Sequence, residues 1–357
     1  MNGHPFEIAG RRIGPDRPPF VVAEMSANHG RDFERAVAIL KAAAGAGADA
    51  VKLQTYTAET LTLDCDKPCF RIDGTPWDKR SLYDLYSEAA MPWEWQPKLK
   101  ERAEGLELAF FSTPFDATSV EFLERMDVPA YKIASFELID LPLLRRVAMT
   151  GKPIILSTGM GTLAEIDEAV GTLRGAGCKQ LALLKCTSAY PATADSMNLR
   201  TIPHLCETFG VPVGLSDHSM DPAIPIAAVA AGACIIEKHL TDSRARGGPD
   251  AEFSLEPDEF KQMATSVRTA HAALGGISYG AGPAETAGRK LRRSLFAVED
   301  IAAGERFTAE NVRSIRPADG LSPRNIEAIL GNTARSDIPR GTPLDWEQIE
   351  RDSRGPP

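Results

Sequence analysis

Two histidines, 21 residues apart, each follow a short apolar run. His218 lies in GLSDHSM and His239 lies in EKHLT. A histidine beside an apolar run is usually a buried residue whose hydrogen bonds are satisfied, whereas two converging imidazoles suit Mn²⁺, Co²⁺, Fe²⁺ or Zn²⁺. Two protein ligands would leave coordination positions open, as in a catalytic metal site. Whether the two histidines are structural or bind a metal depends on the secondary-structure elements that carry them.

Two lysines within otherwise apolar runs form a second candidate group. A lysine in a buried strand is costly unless it meets an anion. Lys52 and Lys132, with the hydroxyls of Ser135, Ser157 and Ser216, could cradle a phosphate or a carboxylate. For each lysine the alternative is a structural ion pair with a neighbouring glutamate.

Eight short apolar runs predict buried parallel strands, because they are continuous and do not alternate with polar residues. Helix-like stretches separate them, and many of these begin at Asp, Thr or Pro and end at Gly. This repeat predicts a (β/α)8 TIM barrel. An open doubly wound sheet is the alternative, but no GxGxxG follows the first strand. The predicted strands are 20–25, 50–56, 106–112, 130–135, 153–158, 181–187, 211–217 and 233–239.

The barrel would bring the two histidines together at the ends of adjacent strands, seven and eight. Neighbouring strands lie about 5 Å apart, so both rings could reach one ion. Because side chains alternate along a strand, Ser216 and Glu237 share the inward face of the histidines. Asp217 and Lys238 point the other way and are predicted to be structural. His29, in the loop after the first strand, could ligate a metal or form hydrogen bonds.

The rest of the chain divides into segments of different character. Residues 1–280 form the predicted barrel domain, and its oversized 57–91 connection is typical of a binding loop above the active-site face. Residues 281–290 are predicted to be a linker, and residues 291–350 are predicted to form a small β-rich unit. The tail, 351–357, is predicted to be disordered.

Composition excludes several classes of function. The net charge of −9 argues against a nucleic-acid or anionic-membrane binder. The start lacks the apolar region of a signal peptide, and no run of 18 apolar residues occurs. The six cysteines are scattered, with only Cys65 and Cys69 close together, so we interpret them as free thiols of a cytoplasmic protein.

The motifs resemble those of a known family. EMSANHG, KLQT, FSTPFD, YKIASFE, STGM, KCTSAYP, GLSDHS, EKHLT and GGPDAEFSLEP are similar to motifs of the sialic acid synthases, which condense phosphoenolpyruvate with an amino-sugar aldehyde. The C-terminal unit resembles the antifreeze-like SAF domain. Ice binding is the alternative function for that unit.

Within the family, EMSANH, CTSAYPA and GGPDxxFSLEPDEF resemble the branch that makes pseudaminic acid. The resemblance implies 2,4-diacetamido-2,4,6-trideoxy-L-altrose as the acceptor. The branches that make legionaminic acid or N-acetylneuraminate are the alternatives. Two alternatives lie outside the family: a metal-dependent aldolase that does not use phosphoenolpyruvate, and a non-catalytic sugar-binding protein.

The resemblance also implies roles for individual residues. Glu24 and Glu137 are candidates for stabilising positive charge and activating water, and Mn²⁺ is the expected metal, with Mg²⁺ or Co²⁺ as alternatives. Ser188 stands where the family usually has Asn, and Arg316 matches an arginine that reaches the partner's site in a domain-swapped homodimer. The implied phosphoenolpyruvate ligands are Lys52, Lys132, Ser135, Ser157 and Ser216; the metal ligands are His218 and His239; the other substrate-binding residues are Gln54, Ser188, Tyr190, Asp250 and Arg316.

Overall fold

The computed structural model describes residues 6–72, 77–78 and 80–350. It divides into two units, one that ends at Gly275 and one that begins at Gly276. Among the described residues, no helix has both the length and the apolar character needed to cross a membrane.

The first unit contains a closed barrel of eight parallel strands, in which each strand pairs with the next one along the chain and the last pairs with the first. The predicted barrel is therefore confirmed. Nearly every strand residue is buried, which explains why the strands are continuous apolar runs in the sequence. The strands are β3 Phe20–Glu24, β4 Ala50–Thr55, β5 Ala109–Pro114, β6 Tyr131–Ile133, β7 Ile154–Ser157, β8 Leu181–Cys186, β9 Val213–Asp217 and β10 Ile235–His239.

Helices connect successive strands around the barrel. Polar caps start several of them; the Asp32 carboxylate accepts the Glu34 and Arg35 N–H groups at the start of α1, and Thr162 caps α7. The helices are α1 Phe33–Gly45, α2 Ala58–Leu61, α3 Leu82–Ala89, α4 Gln96–Gly105, α5 Ala117–Arg125, α6 Leu141–Ala148, α7 Leu163–Gly175, α8 Thr201–Phe209, α9 Ala223–Ala230 and α10 Pro257–Leu274.

Close packing of β9 against β10 requires a glycine. A Cβ on Gly214 would lie 2.4 Å from the carbonyl oxygen of Ile235 and 2.7 Å from its Cβ. No larger residue fits there without moving one of the two strands. The glycine that opens GLSDHS therefore permits the strand contact that brings the two histidine-bearing ends together.

An N-terminal hairpin, β1 Phe6–Ile8 and β2 Arg11–Ile13, was not predicted from the sequence. Phe6, Ile8 and Ile13 are buried and belong to the same apolar cluster as Phe20 and Val22, which are residues of β3. The hairpin thus extends the core of the barrel.

One predicted strand is displaced. The segment 106–112 was expected to be a strand, but β5 begins only at Ala109. Helix α4 continues to Gly105, and the chain then turns through Glu107, which has a φ of +61°. The apolar residues Leu106 and Leu108 therefore belong to the connection before the strand.

The second unit has its own apolar core and short antiparallel pairs. Its elements are β11 Ser294–Ala297, β12 Val312–Ile315, α11 Ile326–Ile329, β13 Thr333–Ala334 and β14 Ile349–Glu350. Strand β11 pairs with β12, and β13 pairs with β14. The core includes Leu295, Phe307, Val312, Ile329 and Leu344.

Candidate active site

A cavity of about 390 Å³ lies at the carboxyl ends of the barrel strands. This volume is in the range of small-molecule sites, about 300–1,000 Å³. Twelve of the predicted site residues line it: Glu24, Lys52, Gln54, Lys132, Ser135, Glu137, Ser157, Tyr190, Ser216, His218, His239 and Asp250.

Two predicted residues lie elsewhere. Ser188 does not line the cavity; its Oγ lies 2.9 Å from Ser135 Oγ. Arg316 follows β12 in the second unit, where its side chain is exposed. His29 also lies outside the cavity, where its Nδ1 accepts the Arg31 N–H at 3.0 Å. Burial lowers the pKa of His29 to about 4.

The floor of the cavity holds two lysines and two glutamates. Lys52 Nζ lies 2.5 Å from Glu24 Oε2 and 3.7 Å from Glu237 Oε1. Lys132 Nζ lies 3.7 Å from the same Glu237 oxygen. Both lysines therefore make the ion pairs that the sequence left open as the alternative to anion binding. Since the four groups line the cavity, these pairs do not exclude a role in substrate binding.

Glu237 is a site residue that the sequence reasoning placed on the inward face but did not assign. Burial and the charge of Glu237 raise the pKa of Glu24 to about 7, against the opposing effect of Lys52. Although burial opposes it, the pKa of Glu237 is held below its usual range by Lys132 and Lys52. Of the two carboxylates, Glu24 is thus the one that takes up a proton near neutral pH.

Hydroxyl groups line the same floor. Lys132 Nζ donates to Ser157 Oγ at 2.7 Å, and Ser216 Oγ donates to Glu237 Oε1 at 3.3 Å. Gly159, after β7, has a φ of +47°, and a Cβ there would lie 2.2 Å from Ser135 Cβ. Glycine at this position lets the chain pass close to the Ser135 side chain.

The two histidine rings lie side by side, with their centroids 5.3 Å apart. The register of β9 and β10 pairs Lys238 with Asp217, so the next residues on each strand are neighbours. His218 Nδ1 lies 3.0 Å from the carbonyl oxygen of Thr187. Because a carbonyl only accepts, Nδ1 carries the proton, and in the neutral ring the Nε2 lone pair can bind a metal.

The donor atoms fit a divalent metal ion. His239 Nδ1 is buried without a hydrogen-bond partner, and burial holds the pKa of His239 well below its ordinary value, which favours the neutral ring that a metal requires. In the described part of the chain, no group of three or more His, Cys, Asp or Glu side chains could hold a metal. The remaining ligands would have to be water or substrate oxygens.

A hydrogen-bond network connects the floor to the loop after β10. Gln54 Nε2 donates to Glu24 Oε1 at 3.2 Å and to Ser26 Oγ at 2.9 Å. Ser26 Oγ donates in turn to Asp250, whose carboxylate also accepts the Ala27 N–H at 3.2 Å. The network orients both Glu24 and Asp250.

Glu137 also lines the cavity. It lies in the turn Phe136–Ile139 after β6, and its Oε2 is buried without a partner. Burial raises the pKa of Glu137 to about 7. This carboxyl is therefore available to a substrate hydroxyl or amide.

Aromatic rings surround the histidine pair. The ring of Tyr190 lies 4.4 Å from that of His218 and 5.0 Å from that of Phe253. The ring of Trp77 lies 5.6 Å from that of Tyr190, tilted by 55°, and its Nε1 donates to the Pro249 carbonyl at 2.9 Å. Sequence reasoning identified the 57–91 connection as a binding loop but did not select Trp77, because the segment shows no periodicity.

The residues that alternate with the histidines pack outside the barrel. Lys238 Nζ lies 2.9 Å from Asp217 Oδ2, and both side chains are buried. Asp217 also accepts the N–H and hydroxyl of Ser219. Neither residue lines the cavity.

Comparison with known proteins identifies the family. The model of the NeuB family matches residues 39–279, and that of the SAF domain matches residues 292–350. The chain belongs to the NeuB family. The resemblance to the sialic acid synthases and to the SAF domain is thereby confirmed.

Individual relatives cover most of the chain. Pseudaminic acid synthase of Campylobacter jejuni subsp. jejuni serotype O:23/36 is 45% identical, over 92% of this chain and 96% of its own. N,N'-diacetyllegionaminic acid synthase of C. jejuni serotype O:2 is 37% identical, over 88% and 95%. The crystal structure of N-acetylneuraminic acid synthetase from Leptospira borgpetersenii, in complex with citrate, covers 80% of this chain and 95% of its own, with 32% identity and a TM-score of 0.72.

Proposed function

We propose that the chain condenses phosphoenolpyruvate with 2,4-diacetamido-2,4,6-trideoxy-L-altrose, giving pseudaminic acid and phosphate. The observation that carries the proposal is the floor of the cavity, where two lysines and two imidazoles meet in one buried site. The sequence similarity is higher to a pseudaminic acid synthase, at 45% identity, than to a legionaminic acid synthase, at 37%. The enzyme is accordingly a transferase that forms a carbon–carbon bond.

Phosphoenolpyruvate has two anionic groups, which match the two lysines of the floor. Lys52 and Lys132 would bind its carboxylate and phosphate, with Ser135, Ser157 and Ser216 donating further hydrogen bonds. Holding the anion in the buried site fixes carbon 3 against the aldehyde, a gain from both charge and position.

The acceptor aldehyde would lie at the histidine pair. A divalent ion held by His218 and His239, Mn²⁺ being the expected one, would supply Lewis-acid polarisation of the aldehyde oxygen. Glu137, Tyr190 and Asp250 would bind the sugar's hydroxyl and amide groups.

The overall reaction joins carbon 3 of phosphoenolpyruvate to the aldehyde carbon, adds water at carbon 2 and releases phosphate. We assign the activation of this water to Glu24, because its carboxyl is paired directly with Lys52 at the end of the cavity where phosphoenolpyruvate would bind. Glu24 accepts the water's proton, and its charge stabilises the positive character of carbon 2.

The assembly that we propose is a domain-swapped homodimer in which Arg316 of one subunit reaches the sugar in the partner's barrel. The exposed Arg316 side chain of the second unit is available for this contact. We place the enzyme in the cytoplasm, where phosphoenolpyruvate is available.

The test is phosphate release from phosphoenolpyruvate with three separate acceptors: the trideoxy altrose derivative, the corresponding legionaminate precursor and N-acetylmannosamine. The trideoxy altrose derivative is expected to give the highest kcat/KM, and mass spectrometry should find pseudaminic acid. Chelator treatment should abolish release and Mn²⁺ should restore it, but not in His218→Ala. Higher activity with either other acceptor would favour the legionaminate or neuraminate branch. Aldol product without phosphate release would favour an aldolase.

A further inference from the structure

The cavity is charged at its floor and apolar at its mouth. The floor side chains Glu24, Lys52, Lys132 and Glu237 are at most 6% exposed. The 57–91 connection instead contributes apolar and aromatic side chains, most of them partly exposed. We call six of these the apolar wall: Leu61, Ile72, Trp77, Leu82, Leu85 and Tyr86.

The apolar character of this wall does not reflect the composition of its segment. The described positions of 57–91 include nine charged residues, among them Glu59, Arg71, Asp84 and Glu88. None of these nine lines the cavity. The segment therefore folds with its charges turned away from the pocket and its apolar side chains turned towards it.

Two aromatic members of the wall, Trp77 and Tyr86, contribute ring surface to the pocket, and Tyr86 also carries a hydroxyl group. The indole N–H of Trp77 is already donated to Pro249, which leaves the ring without a free donor. Tyr86 packs edge-on against Tyr56 at 6.0 Å, and Tyr56 packs likewise against Phe115 at 5.1 Å. The face of an aromatic ring is apolar and carries partial negative charge, which suits the C–H groups of a ligand.

The wall is anchored at several points. An isolated antiparallel bridge joins Arg71 to Ser81. Arg31 Nη1 donates to the Ser87 carbonyl at 2.5 Å, which ties the segment containing α3 to the loop after β3. The wall is thus tied to the barrel at both Trp77 and Ser87, as a surface that discriminates between ligands requires.

We propose that the apolar wall determines acceptor specificity: it accepts the methyl and N-acetyl groups of a trideoxy diacetamido sugar and disfavours a chain with hydroxyls at those positions. This inference rests on the proposed function. If the aldehyde lies at the histidine pair and phosphoenolpyruvate occupies the charged floor, the far end of the sugar must point to the mouth.

The size of the effect follows from the chemistry of the wall. A hydroxyl buried against carbon loses its hydrogen bonds with water, and a purely apolar pocket rejects an added hydroxyl by about 10²-fold. The expected preference from this source is therefore of that order.

The test compares Leu61→Asn with Leu63→Asn. Leu61 lines the cavity, whereas Leu63, two residues later in the same segment, is 64% exposed and does not line it. The measurement is kcat/KM for the trideoxy altrose derivative divided by kcat/KM for N-acetylmannosamine. Leu61→Asn should lower this ratio about 10-fold, with the KM for phosphoenolpyruvate unchanged, and Leu63→Asn should leave the ratio at the wild-type value.

Ile72→Thr provides a second wall variant in case Leu61→Asn fails to fold, and it should lower the ratio in the same direction. If both wall variants keep the wild-type preference for the trideoxy sugar, the role of the wall is wrong, but the proposed function is not affected. An equal fall in the Leu63→Asn control would do the same. A wild-type enzyme that prefers N-acetylmannosamine would overturn both the wall and the proposed function.

Discussion

Two lysines share two glutamates unequally on the floor of the site. Lys52 makes ion pairs with both carboxylates, whereas Lys132 makes one with Glu237, at 3.7 Å. Burial, with the charge of Lys52, lowers the pKa of Lys132 despite the opposing charge of Glu237. The anionic groups of phosphoenolpyruvate would supply further negative charge next to Lys132. Substrate binding would then complete an ion-pair network that is only partly satisfied within the chain.

The pH dependence of turnover should identify the base. Because the pKa of Glu24 is raised to about 7, the carboxyl is protonated below that pH and cannot accept the water's proton. The kcat/KM for phosphoenolpyruvate of the wild type, which reports the free enzyme, should therefore fall as the pH drops through about 7. Glu24→Gln should lower kcat/KM by about 10²- to 10⁴-fold and remove this pH dependence. The measurement is the pH profile of kcat/KM for phosphoenolpyruvate.

Glu137→Gln is the matched control, since burial raises the pKa of Glu137 to about 7 as well. This variant should raise the KM for the sugar and retain the fall in kcat/KM for phosphoenolpyruvate at low pH. If Glu137→Gln removes the pH dependence and Glu24→Gln keeps it, the two roles must be exchanged.

Strands and loops contribute different parts of the site. The ends of β3, β4, β6, β9 and β10 carry the charged and imidazole groups, whereas the connection after β4 carries the apolar wall. A loop can change sequence without disturbing the barrel. The acceptor could thus be altered by changes in 57–91 while the floor stays the same.

The N-terminal hairpin should contribute to stability without affecting substrate binding. Ile8 is fully buried in the apolar cluster that includes residues of β3. Ile8→Ala should lower the free energy of unfolding by about 2–5 kcal/mol, as measured by urea denaturation, with unchanged KM values. Glu7→Ala, at the exposed neighbouring position, should leave the unfolding midpoint close to wild type. Equal losses in both variants would argue against the packing role.

The barrel could be predicted because its strands are buried on both sides and so appear as apolar runs. The alternation of Ser216 with His218 likewise predicted which side chains line the cavity. The hairpin was missed because its strands are three residues each and β2 contains two arginines. Trp77 could not be selected, since tertiary contacts with Tyr190 and Pro249 place it and no local pattern does.

At the scale of the whole molecule, the proposed swap makes each active site depend on two chains. Arg316 belongs to the second unit, and the cavity belongs to the first. An arginine that completes the sugar site from the partner would couple activity to dimer formation.

Mixing two inactive variants should test the swap. Lys52→Met removes a floor lysine and Arg316→Ala removes the proposed partner residue. In a mixed dimer one site would have an intact floor and a wild-type arginine, so phosphate release should reappear after subunit exchange. Mixing Lys52→Met with Lys132→Met should restore nothing, since both defects lie in the barrel. Absence of recovery in the first mixture would contradict the swap.

The buried pair of Lys238 and Asp217 has a consequence for how the site is built. A slip of one residue between β9 and β10 would turn one histidine out of the barrel and a charged side chain into it. In the native register the two charges meet at 2.9 Å outside the barrel. In the slipped register at least one would be buried without its partner, at a cost of several kcal/mol. The pair therefore penalises misalignment of the two strands, and it makes correct positioning of the imidazoles a condition of folding.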